Sequence, residues 1–178
     1  MKRTSTIILS LVMAASMAFG LVGCGEEEIT VSNKTANGIS FDVPSDFGEF
    51  TEKQEGVMVA SNSNNASIAV SPLVDATDLP IEFWNEETYI EAALAPYPDA
   101  NLIELDTNAS ISGLPAVRAH YSVTHANGGE LEGYNYILYL QDEEGNTYYQ
   151  SITFSFNKNV DSYLKNNIES ILSSIKYE

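Results

Sequence analysis

Cysteine is almost absent from this chain: one residue in 178, Cys24. Without a second thiol no intramolecular disulfide can form. Basic residues are scarce too, eight Lys and Arg against 25 Asp and Glu, for a formal charge of −17. So acidic a chain is a poor match for nucleic acid, whose binding rests on Lys and Arg neutralising phosphates. It is equally unsuited to docking on anionic lipid by charge. The acids are spread along the sequence, so their ordinary role is solubility and mutual repulsion. Histidine occurs only as His120 and His125. Their odd spacing on one strand sends them to opposite faces, so they read as solvent-facing strand residues; no metal site and no cofactor is expected. Long apolar runs are missing: the stretch Ile7 to Gly23 is seventeen residues diluted by Ser, Ala and Gly, short of the roughly 20 that spanning a membrane takes. Also missing are a phosphate-cradling glycine loop, a G-x-S-x-G elbow and an H-E-x-x-H helix. That weighs against an enzyme, although active sites assemble in three dimensions and need no local motif.

What is present begins at the amino terminus. "MKRTST", with Lys2 and Arg3, precedes the uncharged run and its small residues, the marks of an export signal. The run ends in "LVGC", Leu21 to Cys24, which resembles the lipobox of bacterial lipoproteins. That resemblance implies cleavage between Gly23 and Cys24 and a diacylglyceryl thioether on Cys24. Two chains are needed because each buried methylene contributes roughly 0.8 kcal/mol and a single acyl chain holds only marginally. The expectation is a signal peptide over 1–23, a lipidated cysteine and polar tether over 24–37 and one domain over 38–178. The domain would sit on the extracytoplasmic side of a bacterial cell membrane, anchored through its diacylglyceryl-cysteine.

The rest of the chain alternates strand and helix periods. Ile39, Phe41 and Val43 face one way against Ser40 and Asp42, and Pro44 stops the strand. "GVMVAS" and "ASIAVSPL" flank Asn62 to Asn65 as a hairpin, with Pro72 marking an edge strand or the strand's end. From Asn85 the period changes: Ile90, Ala93, Leu94 and Tyr97 define one helix face, Asn85 caps it, and Pro96 and Pro98 stop it. Phe83 and Trp84 just before it read as core anchors. A strand, a Gly113-Leu114-Pro115 corner and three alternating runs then predict an antiparallel meander. "DEEGN", Asp142 to Asn146, reads as a plain hairpin turn rather than a calcium loop. Val160, Leu164, Ile168, Ile171, Leu172 and Ile175 form the apolar stripe of a final helix, which should cover the sheet face presenting Ile152, Phe154 and Phe156. The fold class is α+β, a central mostly antiparallel sheet of about seven strands with helices packed on it.

The order "GISFDVPSDF", a central "SGLPA" and a closing "IESILSSIKYE" resembles the PsbP-like domain, the family of the photosystem II extrinsic protein P. The similarity covers roughly Gly38 to Glu178. It implies a sandwich of sheet and helices and a non-enzymatic accessory role, which in the photosynthetic member means helping a membrane complex retain its inorganic ions. It carries over no site residue. One sheet face has binding character if the meander is in simple register: Arg118, His120, Ser122 and Thr124 beside Asn135, Ile137, Tyr139, Tyr149, Ser151 and Thr153. A polar face dotted with tyrosines, with Arg118, His120, Tyr139 and Tyr149 foremost, suits a ligand or a partner protein. Its alternatives are a solvent face or a bed for the first helix. The leading functional expectation is a lipid-anchored accessory protein acting through contacts with a protein partner. A small-molecule or cation-binding lipoprotein serving a membrane system stands second, and a hydrolase is a remote third.

Overall fold

The computed structural model describes residues 30–124, 129–157 and 162–177. Gly23, Cys24 and His125, and Val160 of the final stripe, lie outside them. All strand pairings among the described residues are antiparallel. A small sheet joins β1 (Val31–Ala36), β2 (Ile39–Pro44) and β11 (Lys176–Tyr177) in the order β1-β2-β11. The large sheet contains β3 (Thr51–Glu52), β4 (Met58–Ser61), β5 (Ser67–Val70), β6 (Val74–Asp75), β7 (Ala100–Ile111), β8 (Leu114–Thr124), β9 (Glu130–Gln141) and β10 (Thr147–Asn157). Its order is β3-β4-β5-β10-β9-β8-β7, with β6 also pairing β10. This is the expected α+β architecture, with a seven-strand path at its centre.

Two boundaries differ from the sequence reading. Val31–Ala36, expected in the tether, is a strand paired residue for residue with β2. The cause is Asn37-Gly38, both at positive φ (47° and 79°), the backbone of a tight two-residue hairpin. At the other end the final helix, α2 (Ser162–Ser173), stops short of "IKYE", and Lys176–Tyr177 pairs with Ser40 and Ile39 of β2. Pro72 marks a strand's end rather than an edge, because β5 lies between β4 and β10.

Each face of the large sheet carries its own core. On one, Leu164, Ile168, Ile171 and Leu172 of α2 pack with Ile152, Phe154 and Phe156 of β10, the face expected for them, and with Ile39, Phe41 and Val43 of β2. On the other, Trp84, Tyr89, Ala93 and Leu94 pack with Val117, Ala119, Tyr121, Ile137, Tyr139 and Tyr149. Trp84 is thus a core anchor, as its place before the helix predicts. The helical segment there begins with a turn at Ile81–Phe83, continues as α1 (Glu86–Tyr89) and widens into a π-turn over Ile90–Leu94. Asn85 caps α1 reciprocally with Thr88. The wider turn changes the expected face: Tyr89, Ala93 and Leu94 are buried, whereas Ile90 is 46% exposed.

Candidate functional site

The expected binding face does not form, and strand register is the reason. In β8 and β9, Arg118 lies opposite Tyr136, His120 opposite Tyr134 and Ser122 opposite Glu132. Even-numbered residues therefore share a face with even-numbered ones, one step away from the simple register, and a one-residue slip sends every side chain to the other side. Between β9 and β10 the expected register holds, with Tyr139 opposite Tyr149 and Asn135 opposite Thr153. Arg118 and His120 thus lie on the α2 side, and Tyr139 and Tyr149 on the α1 side.

On the α2 side His120 joins a carboxylate hub. Glu132 is 4% exposed, and its Oε1 accepts from Lys165 Nζ at 2.7 Å and from Tyr134 Oη at 3.1 Å. The same oxygen lies 2.8 Å from His120 Nε2. The imidazole stacks on Tyr134 at 4.3 Å and 6°, and Tyr134 stacks in turn toward Phe156. His120 is therefore a half-buried member of the hub rather than a solvent-facing residue. Burial pushes the Glu132 carboxyl up, but the hydrogen bonds from Lys165, His120 and Tyr134 outweigh it and the net shift is downward. Glu132 in turn raises Lys165 through that hydrogen bond. Chemically the hub is a clamp: it ties α2, through Lys165, to the middle of the sheet. A nucleophile's base would need a hydroxyl beside the imidazole, and among the described residues His120 bonds to none. Arg118 lies alongside, Nη2 2.6 Å from Glu104 Oε1 on β7. Glu104, Glu132 and Lys165 were not singled out in the sequence, because their meeting depends on register and on the placement of α2.

On the α1 side Tyr139 and Tyr149 are 5% and 2% exposed, so this face is the helix's bed. Trp84 Nε1 donates to Tyr139 Oη at 2.7 Å, and that hydroxyl donates to the Leu79 carbonyl at 3.0 Å. Burial pushes the Tyr139 phenol up to about 12. Nearby, Asn135 accepts from Tyr89 Oη at 3.2 Å and donates to Ser151 and Thr153 at 2.6 and 2.8 Å. These polar groups are satisfied inside the core and offer nothing to a ligand. In the Asp142–Asn146 turn, Asp142 accepts from Glu144 and Asn146 of its own loop, the hairpin turn the sequence indicates.

The open surface lies along β7. Among the described residues this strand pairs only with β8 and ends the large sheet. Its register shifts twice, between Leu102 and Glu104 and between Asp106 and Ala109, and each bulge borders a cleft. The first cleft, about 190 Å³, lies between Glu86 and Ile90 of the helical segment and Ala100–Glu104 of β7. The second, about 450 Å³, lies between Ile81, Glu82 and Trp84 and the bulge at Thr107–Asn108. Ile103, the residue left over by the first bulge, is 51% exposed. Among the described residues no group of three or more His, Cys, Asp or Glu is arranged to hold a metal, and no helix is long and apolar enough to cross a membrane.

No protein-family model matches the chain, and no curated protein matches it. Solved structures do share its fold. LpqN of Mycobacterium tuberculosis, involved in cell envelope biogenesis, superposes with a TM-score of 0.53 at 14% identity, over 84% of this chain and 91% of LpqN. The Ran-binding protein Mog1p of Saccharomyces cerevisiae gives a TM-score of 0.50 at 13% identity, over 84% of this chain and 96% of Mog1p. At these identities the likeness is one of fold alone, and function has to be argued from the surface.

Proposed function

We propose that this chain is a lipid-anchored extracytoplasmic accessory protein of a bacterial membrane, a PsbP-like domain that works through protein contacts. The carrying observation is where its unsatisfied surface lies. Both broad faces of the large sheet are covered by core, and two of the five exposed large hydrophobics among the described residues, Ile90 and Ile103, line one cleft at the bulged strand β7. Exposed apolar side chains gathered at one place mark an interaction surface. The "LVGC" at Leu21 to Cys24 supports the anchor, and two proteins of the same fold, one involved in cell envelope biogenesis and one Ran-binding, agree with an accessory role. Fractionation of cells making the wild-type chain or Cys24→Ser tests the anchor. Wild type should partition with membranes and label with a radioactive fatty acid, and the variant should do neither. A variant that stays lipid-labelled and membrane-bound refutes it.

The 450 Å³ cleft favours a second reading, a small-molecule-binding lipoprotein, because its volume falls in the range of ligand sites. Thermal melting against a metabolite panel decides it. A ligand at 100 times its Kd adds about 2.7 kcal/mol, which raises the midpoint of a domain this size by roughly 3–6 °C. A flat panel leaves the accessory reading alone.

A further inference from the structure

We propose that the cleft between Ile90 and Ile103 is the docking site for an extended, cationic and apolar segment of a partner protein. This rests on the accessory reading and supplies the chemistry of its partner. Three irregularities border these clefts: on the helical wall the π-turn that turns Ile90 outward, and on β7 the bulge that leaves Ile103 unpaired and the second bulge at Thr107–Asn108, which lines the neighbouring cleft. Such interruptions recur where a binding surface re-aims side chains. Here they turn two isoleucines, 46% and 51% exposed, toward one shallow cleft.

Charge selects the occupant. Glu86 lines the isoleucine cleft and Glu82 lines its neighbour; neither makes an ion pair or side-chain hydrogen bond among the described residues. Among the described residues no Lys or Arg lines either cleft, and the nearby base Arg118 is held by Glu104. A second copy of this chain, at −17, would bring like charge to the same wall and is disfavoured. Anionic headgroups are repelled for the same reason. A partner segment with Lys or Arg between apolar side chains answers both features. Its apolar groups cover Ile90 and Ile103, and its cations meet Glu82 and Glu86. The two bulges shorten any continuous ladder along β7, so side chains rather than main-chain pairing set the specificity.

The test uses the full chain in its native membranes, with a photo-crosslinking residue in place of Ile103 and the adduct mapped by mass spectrometry. The expected adduct is a segment of another protein with net positive charge. Glu82→Gln with Glu86→Gln should lower its yield about tenfold, whereas Glu52→Gln with Glu55→Gln, which removes equal charge elsewhere, should leave it unchanged. Because all these side chains are on the surface, unchanged melting confirms that each variant folds. An adduct with lipid, with a second copy or with an acidic segment overturns the proposal, as does a yield indifferent to Glu82 and Glu86. Adducts from probes elsewhere on the surface, with none at Ile103, overturn it while leaving the accessory reading intact. No adduct from any surface position overturns both.

Discussion

At the residue scale the tightest constraint is the pair Tyr121 and Gly133, directly opposite across β8 and β9. The phenol ring lies over the glycine so closely that a Cβ there would overlap its Cζ and hydroxyl. Only glycine admits that approach, so Gly133→Ala should cost about 1–3 kcal/mol by overpacking, read as a lower urea midpoint. An unchanged midpoint would mean that the ring has room to move. The Tyr121 hydroxyl is buried near Ser155 without closing a hydrogen bond of good geometry. Removing an unpaired buried hydroxyl relieves a desolvation penalty, so Tyr121→Phe should leave the midpoint unchanged or raise it, and a clear loss would reveal a partner for that oxygen. Glu132 makes stability depend on pH in a definite direction. Its folded pKa is depressed, so its contribution is full above the unfolded value near 4.3 and disappears as pH falls through the folded one. Lys165 is raised by the same bond; its contribution is full below the unfolded value near 10.4 and fades only as pH rises through the folded value. Melting from pH 7 to pH 3 should therefore cost wild type more than Glu132→Gln. Parallel curves would show that the hub does not couple to acid.

At the element scale, what could be read in the sequence followed local chemistry, and what could not followed register. The cap was legible: Asn85 before Glu86 and Glu87 promises a helix start, and the Asn85–Thr88 box is there. Asn85→Ala should cost about 1 kcal/mol, measured by denaturant melting, with Asn85→Ser recovering most of it; no loss would mean that packing of Tyr89 and Leu94 alone holds the segment. The stripe of α2 and the face it covers were legible because a 3.6-residue repeat has one solution. The hairpin at Asn37-Gly38 was missed: the polar residues around it read as a tether, although Asn-Gly is itself a turn signal. Two other things were not legible. The first is the π-turn over Ile90–Leu94, which no spacing of apolar residues announces. The candidate face depended on whether Thr124 pairs with Glu130 or with a neighbour one residue away. That choice separates Arg118 and His120 from Tyr139 and Tyr149, and alternation within each strand is silent about it.

At the scale of the whole molecule, two cores share one sheet. Tyr136, Leu138, Ile152 and Phe154 belong to the α2 side, and Ile137, Tyr139 and Tyr149 of the same two strands belong to the other. Neither core can come apart without stripping one face of β9 and β10, so the domain should melt as a single unit. The only tryptophan, Trp84, is buried on the α1 side and bonded to Tyr139, which makes it a reporter for that core alone. Ile168, buried in α2 on the opposite side, is the perturbation. Ile168→Ala should cost about 2–5 kcal/mol, a fall on the order of 10 °C for a domain of this size. If the cores are coupled, Trp84 fluorescence and far-ultraviolet circular dichroism fall by the same amount, although the mutated side chain lies across the sheet from the indole. If Trp84 keeps its wild-type midpoint while the circular dichroism signal splits, the α1 side folds on its own. The helical wall of the β7 clefts would then be a separable module rather than a surface held rigid by α2.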